Sequence, residues 1–172
     1  MIDAASTKPF AFMAHQPGVG AGGRCIPTMP QYLLQAAGQA GITMPILDDA
    51  VTGNEKTADR VAAHLRDLLK ATGVDRARVL AAGATYKPDY PDARESAAVR
   101  FARGLAAHHD VIVLDPMVEQ AHLPEDVHLV REIPAGAGFD AVVIASSTAT
   151  STSMPFDRSA RYSSTWCEDR WK

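Results

Sequence analysis

Cysteine is nearly absent: Cys25 and Cys167 are the two thiols in 172 residues. Two cannot make a disulfide framework, and the chain reads as one from a reducing compartment. No apolar run approaches the roughly 18 residues of a membrane span, and no secretory signal precedes the first polar residues. The chain therefore reads as a soluble cytoplasmic protein with no membrane partner. Dense Lys/Arg blocks are missing too. With 17 basic against 20 acidic residues, the formal charge of −3 makes nucleic acid a poor partner. His15, His64, His108, His109, His122 and His128 show no ligand spacing with the cysteines or with each other, so no metal site is expected. What remains is a chain 47% hydrophobic, enough for a core in one ordinary domain, with or without an appendage.

Glycine is plentiful in one place. Between Pro17 and Pro27 stand Gly18, Gly20, Gly22 and Gly23, followed by Arg24, Cys25 and Ile26. Glycine allows positive φ and close approach to a ligand, so the run reads as a tightly folded loop that delivers Cys25 as a reactive or ligand-facing thiol. Gly18, Gly20 and Gly23 also fit G-x-G-x-x-G. A dinucleotide fingerprint, however, needs a strand before it and an acidic residue about 20 positions on. Here Pro17 comes before, Pro27 and Pro30 come after, and the next acid is Asp48, so the dinucleotide reading is the weaker one. A flexible connector with an inert cysteine is the other alternative.

Along the chain, residues 1 to 16 read as a proline-broken lead-in. A helix is expected from Pro30 to about Ala40, carrying Leu33, Leu34 and Ala37, with Gly41 as its stop. A longer helix is signalled from Asn54, with Val61, Leu65, Leu68 and Leu69 as its stripe and Gly73 as its end. The period then changes. Arg78–Ala82, Asp110–Leu114 and Asp140–Ala145 read as buried strands, with Val127–Val130 as a possible fourth. Between the first two, Glu95 to about His108 reads as a helix with Val99, Phe101, Ala102 and Leu105 inward. Strands alternating with helices predict an α/β fold, a Rossmann-like, mostly parallel sheet with flanking helices, preceded by a small α-helical section. The expected division is 1–74 for the glycine loop and helices and 75–172 for the sheet domain.

The loop from Gly83 to Ser96 leaves the carboxyl edge of the first strand, where ligands of such sheets sit. Lys87 and Arg94 could meet phosphate there, Arg through a bidentate fork and Lys as a point charge. Tyr86 could pack on a ring, and Asp92 could pair with Arg94 or cap the helix. A capped helix start with solvated charges explains the same residues, with Asp92 or Ser96 as the cap.

Together, Gly22 to Pro27, Leu80 to Gly83, Tyr86-Lys87-Pro88, Asp92-x-Arg94-Glu95-Ser96 and Asp115-Pro116 resemble the UDP-glucose/GDP-mannose dehydrogenase family, especially the branch acting on UDP-N-acetylhexosamines. The resemblance runs from about residue 2 to residue 145. It implies the end of a central, dimerising helical region followed by a C-terminal Rossmann-like domain, with the N-terminal NAD-binding half outside this sequence. By resemblance, Cys25 is the nucleophile that adds to a sugar aldehyde. Gly18, Gly20, Gly22 and Gly23 wrap the sugar, Tyr86 and Lys87 contact the substrate phosphates, and Arg94 reaches toward the dinucleotide. A homodimer, a nucleotide sugar or other small molecule, and a separate NAD-binding subunit are the partners this implies. The chain alone is expected to bind no cofactor, NAD being implied by the family only.

Departures qualify that likeness. Val19 replaces a family proline, Arg24 a histidine or aromatic residue, and Met29 the aspartate that assists proton transfer. The tail from about residue 146, rich in Ser and Thr, departs as well, with Asp169 and Arg170 at most preserving a final contact. Three functions are consistent with this. One is the substrate-binding and dimerising half of a nucleotide-sugar 6-dehydrogenase, not autonomous in oxidation. Another is a reused scaffold catalysing a non-redox reaction, and the last is a non-catalytic ligand-binding or interaction module.

Overall fold

A computed structural model describes residues 1–15, 17–87, 89–133 and 136–146. Pro88, Cys167, Asp169, Arg170 and the Ser/Thr-rich tail beyond Ser146 lie outside the described residues. The elements run α1 (Ile2–Ser6), α2 (Cys25–Gln39), α3 (Pro45–Ala71), β1 (Arg78–Ala82), α4 (Ala97–Ala106), β2 (Asp110–Leu114), a 3-10 turn (Gln120–His122), β3 (His128–Val130) and β4 (Ala141–Ile144).

All three ladders are parallel and the strand order is β3-β2-β1-β4, with Leu80 opposite Ile112 on one side and Val142 on the other. The expected α/β architecture, a parallel sheet with flanking helices, is therefore present. Side chains alternate along the strands, so Val79, Ala81, Val111 and Val113 face α3 and α4. Leu80, Ile112 and Leu114 face the other way, against Val130, Ile133, Phe139 and Val142.

On the helical side, α4 buries Val99, Phe101, Ala102 and Leu105, the stripe its 3.6-residue period predicts. Phe101 and Leu105 have no exposed surface. Each contributes about 2 to 3 kcal/mol by leaving water. Ala58, Val61, Ala62 and Leu69 of α3 join the same cluster, so the core runs unbroken from the helical section into the sheet. Small residues make that contact close: a Cβ on Gly104 of α4 would stand 3.4 Å from the Cβ of Ala62.

Three helix boundaries differ from expectation, each for a local reason. α2 begins at Cys25, five residues before Pro30. Pro27 falls in its first turn, where the missing N–H would have no intrahelical acceptor, and only Pro30 leaves a helical carbonyl, that of Ile26, without its donor. α3 begins at Pro45, a favoured first position, nine residues before Asn54. Gly53 and Asn54, which look like a boundary, lie inside it. α4 begins at Ala97, because Glu95 takes a left-handed φ of 50° and Ser96 caps the helix through Val99 N–H. The lead-in also holds the short α1.

Candidate functional site

Each half of the candidate site is shaped by its own backbone constraints. The carboxyl end of β1 turns at Gly83, whose φ is +95° and whose N–H donates to Leu114 O at 2.8 Å. A Cβ there would come within 2.6 Å of Ser146, just past β4. Asp115, fully buried at the end of β2, accepts Ala84 N–H at 2.8 Å and Thr85 N–H at 3.2 Å on one oxygen and Met117 N–H at 2.9 Å on the other. The Asp-Pro pair therefore does more than close a strand. It fixes the first residues of the loop that carries Tyr86 and Lys87.

Farther along, Tyr86 N–H donates to Asp92 O at 3.1 Å, and the Tyr86 and Tyr90 rings meet edge to face at 6.0 Å. Arg94 forks onto Asp92, its Nε lying 2.9 Å from both carboxylate oxygens, while its own N–H donates to Oδ1 at 2.9 Å. That hydrogen-bonded guanidinium is the main reason the Asp92 carboxyl is pulled down to about 2, with Arg24 adding to the effect. The same pairing raises the Arg94 guanidinium above its ordinary value. Of the two roles open to Asp92, pairing with Arg94 is the one it takes, and Ser96 is the cap.

The glycine loop lies against this second loop. A Cβ on Gly22 would come 2.8 Å from both Tyr86 Cβ and Glu95 O, and one on Gly23, at φ +81°, would come 2.7 Å from the Tyr86 ring. Those two positions tolerate only glycine, because Tyr86 occupies the space of a side chain. Cys25 is not delivered from the loop itself. It is the first residue of α2, exposed as a free thiol.

One cavity of about 330 Å³ collects these parts, lined by Gly22, Gly23 and Cys25 from the first constellation and by Tyr86, Lys87 and Arg94 from the second. Arg24 and Asp92 also line it, so three cations face one carboxylate. A Cβ on Gly18 would meet nothing within 4 Å, and this residue lies outside the lining. Gly20, with φ +127°, packs beside Ala97 and Asn54 instead. Arg24 and Asn54 had no site role in the sequence, Asn54 because its partner is backbone.

Two absences are instructive among the described residues. No group of three His, Cys, Asp or Glu side chains could hold a metal, and no helix is long and apolar enough to cross a membrane. The G-x-G-x-x-G run also lacks the setting of a dinucleotide fingerprint. The Gly18-Gly20-Gly23 run follows no strand, and the turn after β1 is filled by Ser146.

Comparison with known proteins assigns both segments of the chain to one family. Residues 1–56 match the central domain of the UDP-glucose/GDP-mannose dehydrogenase family, and residues 80–165 match that family's UDP binding domain. A UDP-N-acetyl-D-glucosamine 6-dehydrogenase of Pseudomonas aeruginosa is 32% identical over 149 residues, 84% of this chain and 35% of that protein. A UDP-N-acetyl-D-mannosamine dehydrogenase of Yersinia pestis is 34% identical over 110 residues, 61% of this chain and 26% of that protein. Among solved structures, a UDP-D-ManNAc dehydrogenase from Pyrococcus horikoshii superposes with a TM-score of 0.67 at 28% identity, over 84% of this chain and 33% of its own. The chain thus spans about a quarter to a third of the length of such relatives. With both segments matched in order and the fold shared, the chain belongs to the UDP-glucose/GDP-mannose dehydrogenase family.

Proposed function

We propose that this chain forms the nucleotide-sugar side of a sugar-nucleotide 6-dehydrogenase site. The observation that carries the reading is the single cavity in which Cys25, Gly22 and Gly23 meet Tyr86, Lys87 and Arg94. Lys87, Arg94 and Arg24 suit a diphosphate, which is dianionic and takes both forked and point-charge partners. Tyr86 offers a ring face or hydroxyl beside it. Cys25 stands where a thiolate adds to the carbonyl carbon of a sugar aldehyde, the C–S bond forming as the carbonyl electrons move to oxygen.

The dinucleotide of the family reaction, NAD, supplies hydride acceptance when bound. Because the Gly18-Gly20-Gly23 run follows no strand, the dinucleotide is held mainly by another domain of the same polypeptide or by a separate subunit, with Arg94 of this chain reaching toward it. Oxidation then depends on that other part, and the chain alone binds substrate without turnover. Met29, one helical turn after Cys25 and half-exposed on α2, favours the second reading, a ligand-binding module, because a thioether moves no proton.

The partner we propose is a second copy. Ile26, Met29, Tyr32 and Leu33 of α2, together with Ile42 and Ile46, are exposed, and helices of this central region pair in the family. The location proposed is the cytoplasm.

A thermal-shift series with UDP, UDP-glucose, UDP-N-acetylglucosamine, GDP-mannose and NAD tests the binding assignment, since a ligand of the native state raises its stability. Stabilisation by a uridine nucleotide, absent with NAD and lost in Lys87→Ala and Arg94→Ala, is expected. A folded chain that responds to no nucleotide would overturn it. Nucleotide-sugar binding by the wild-type chain, with no oxidation on adding NAD and a partner domain and no change in binding in Cys25→Ala, would select the ligand-binding module.

A further inference from the structure

Asn54 sits in the interior of α3, yet its carboxamide serves another part of the chain. Its Oδ1 accepts Ala21 N–H at 2.8 Å, and its Nδ2 donates to Ala21 O at 2.9 Å, across 33 residues. One side chain thus satisfies both backbone groups of one loop residue, as a neighbouring strand would. Ala21 lines the cavity and leads directly into Gly22 and Gly23. Gly20, at φ +127°, turns the chain beside Asn54, where a Cβ would stand 3.5 Å from the Asn54 carbonyl.

We infer that Asn54 is the positioning residue that fastens the glycine loop to α3 and so holds Cys25 in line with Tyr86 and Lys87. Val19 packs the start of the loop into the core, but residues 22 and 23 have no side chains with which packing could hold the far end. The amide pair fixes the register of the loop along its own axis, and the Tyr86 contact fixes its depth. The fastening stands on geometry alone. Its consequence for ligand binding rests on the nucleotide-sugar reading of the cavity.

Asn54→Asp separates the two. Ionised, the carboxylate keeps the Ala21 N–H but sets a second oxygen against Ala21 O. Protonated, its O–H donates to that carbonyl and both bonds return. The neighbouring charges, Glu55 on the same helix and Arg100 of α4, which donates to Glu55 O, are present in variant and wild type, so the ratio removes their direct effect on binding and leaves their pull on the new carboxyl.

Two quantities are read on the whole chain: the Ala21 amide exchange rate without ligand, and the affinity for UDP-N-acetylglucosamine by calorimetry, each divided by the wild-type value at the same pH. Near pH 7.5 the variant should exchange Ala21 faster and bind roughly tenfold more weakly. Near pH 5, where a carboxyl flanked by a carbonyl regains its proton, both ratios should return to within about twofold of one. Unchanged Ala21 exchange at both pH values would overturn the inference. So would wild-type exchange as fast as an unprotected peptide, a measurement that stands even if the variant does not fold. Changed exchange with unchanged affinity would overturn the positioning role. Changed exchange with no nucleotide sugar bound by either protein would keep the fastening and remove the nucleotide-sugar reading.

Discussion

Gly23 and Gly18 are five residues apart in the same run, yet only Gly23 has another side chain, the Tyr86 ring, in the place of a Cβ. Gly23→Ala should destabilise the protein by about 1 to 3 kcal/mol and weaken nucleotide binding, because strain and the ring contact act together. Gly18→Ala should stay within about 0.5 kcal/mol of wild type. Paired urea melts check the contrast, and equal losses would remove the packing account. Asp92 gives a pH test at the same scale. Its folded value, about 2, lies below the ordinary 3.8. The stability it lends is therefore complete above 3.8 and lost as pH falls through 2. A carboxyl titration by NMR should place Asp92 near 2 in wild type and near its ordinary value in Arg94→Ala.

Among the elements, α4 depends on one cap. Ser96→Ala should cost about 1 kcal/mol, read as a lower urea midpoint at unchanged slope. The strands β1 and β2 were legible to the residue, because a run of four apolar residues opened by a charged one has few other uses. The stripe of α4 was legible for the same reason of period. Helix starts were not. Cys-Ile-Pro-x-x-Pro reads as loop until the first-turn tolerance for proline is counted, and Gly53-Asn54 reads as a boundary because Asn usually competes for its own backbone. Here its carboxamide is engaged by Ala21 instead. Of the residues lining the candidate cavity, Cys25, Tyr86, Lys87 and Arg94 have reactive, aromatic or charged side chains and stand out by residue type. Asn54 and Asp115 act on backbone groups of distant residues, and no local pattern announces such partners.

At the scale of the molecule, stability should depend on His109, buried where α4 leads into β2. Its Nδ1 accepts Ala77 N–H at 3.3 Å, while Nε2 is buried without a partner among the described residues. Burial pushes its ionisation below the ordinary 6.5, helped by the positive charges of His108, Arg66 and Arg76. The folded protein then binds fewer protons than the unfolded chain below about 6.5, so stability is full above that pH and falls as pH drops through the lowered folded value. Melting temperatures measured from about pH 8 to about pH 5 should decline in wild type. His109→Asn, whose carboxamide can still accept the Ala77 N–H, should flatten the decline.

Parallel pairing also sets a temporal order for the chain. Val79 meets Ala141 across the whole crossover region, and Ala58, Val61, Ala62 and Leu69 of α3 bury themselves largely against residues made later, Val19 being an earlier exception. During synthesis, α3 leaves the ribosome with an apolar face that stays mostly uncovered until β1 and α4 follow. Contacts of this range close slowly. The glycine loop therefore waits on the later strands for its other wall, and Tyr86 reaches Gly23 only once the sheet exists.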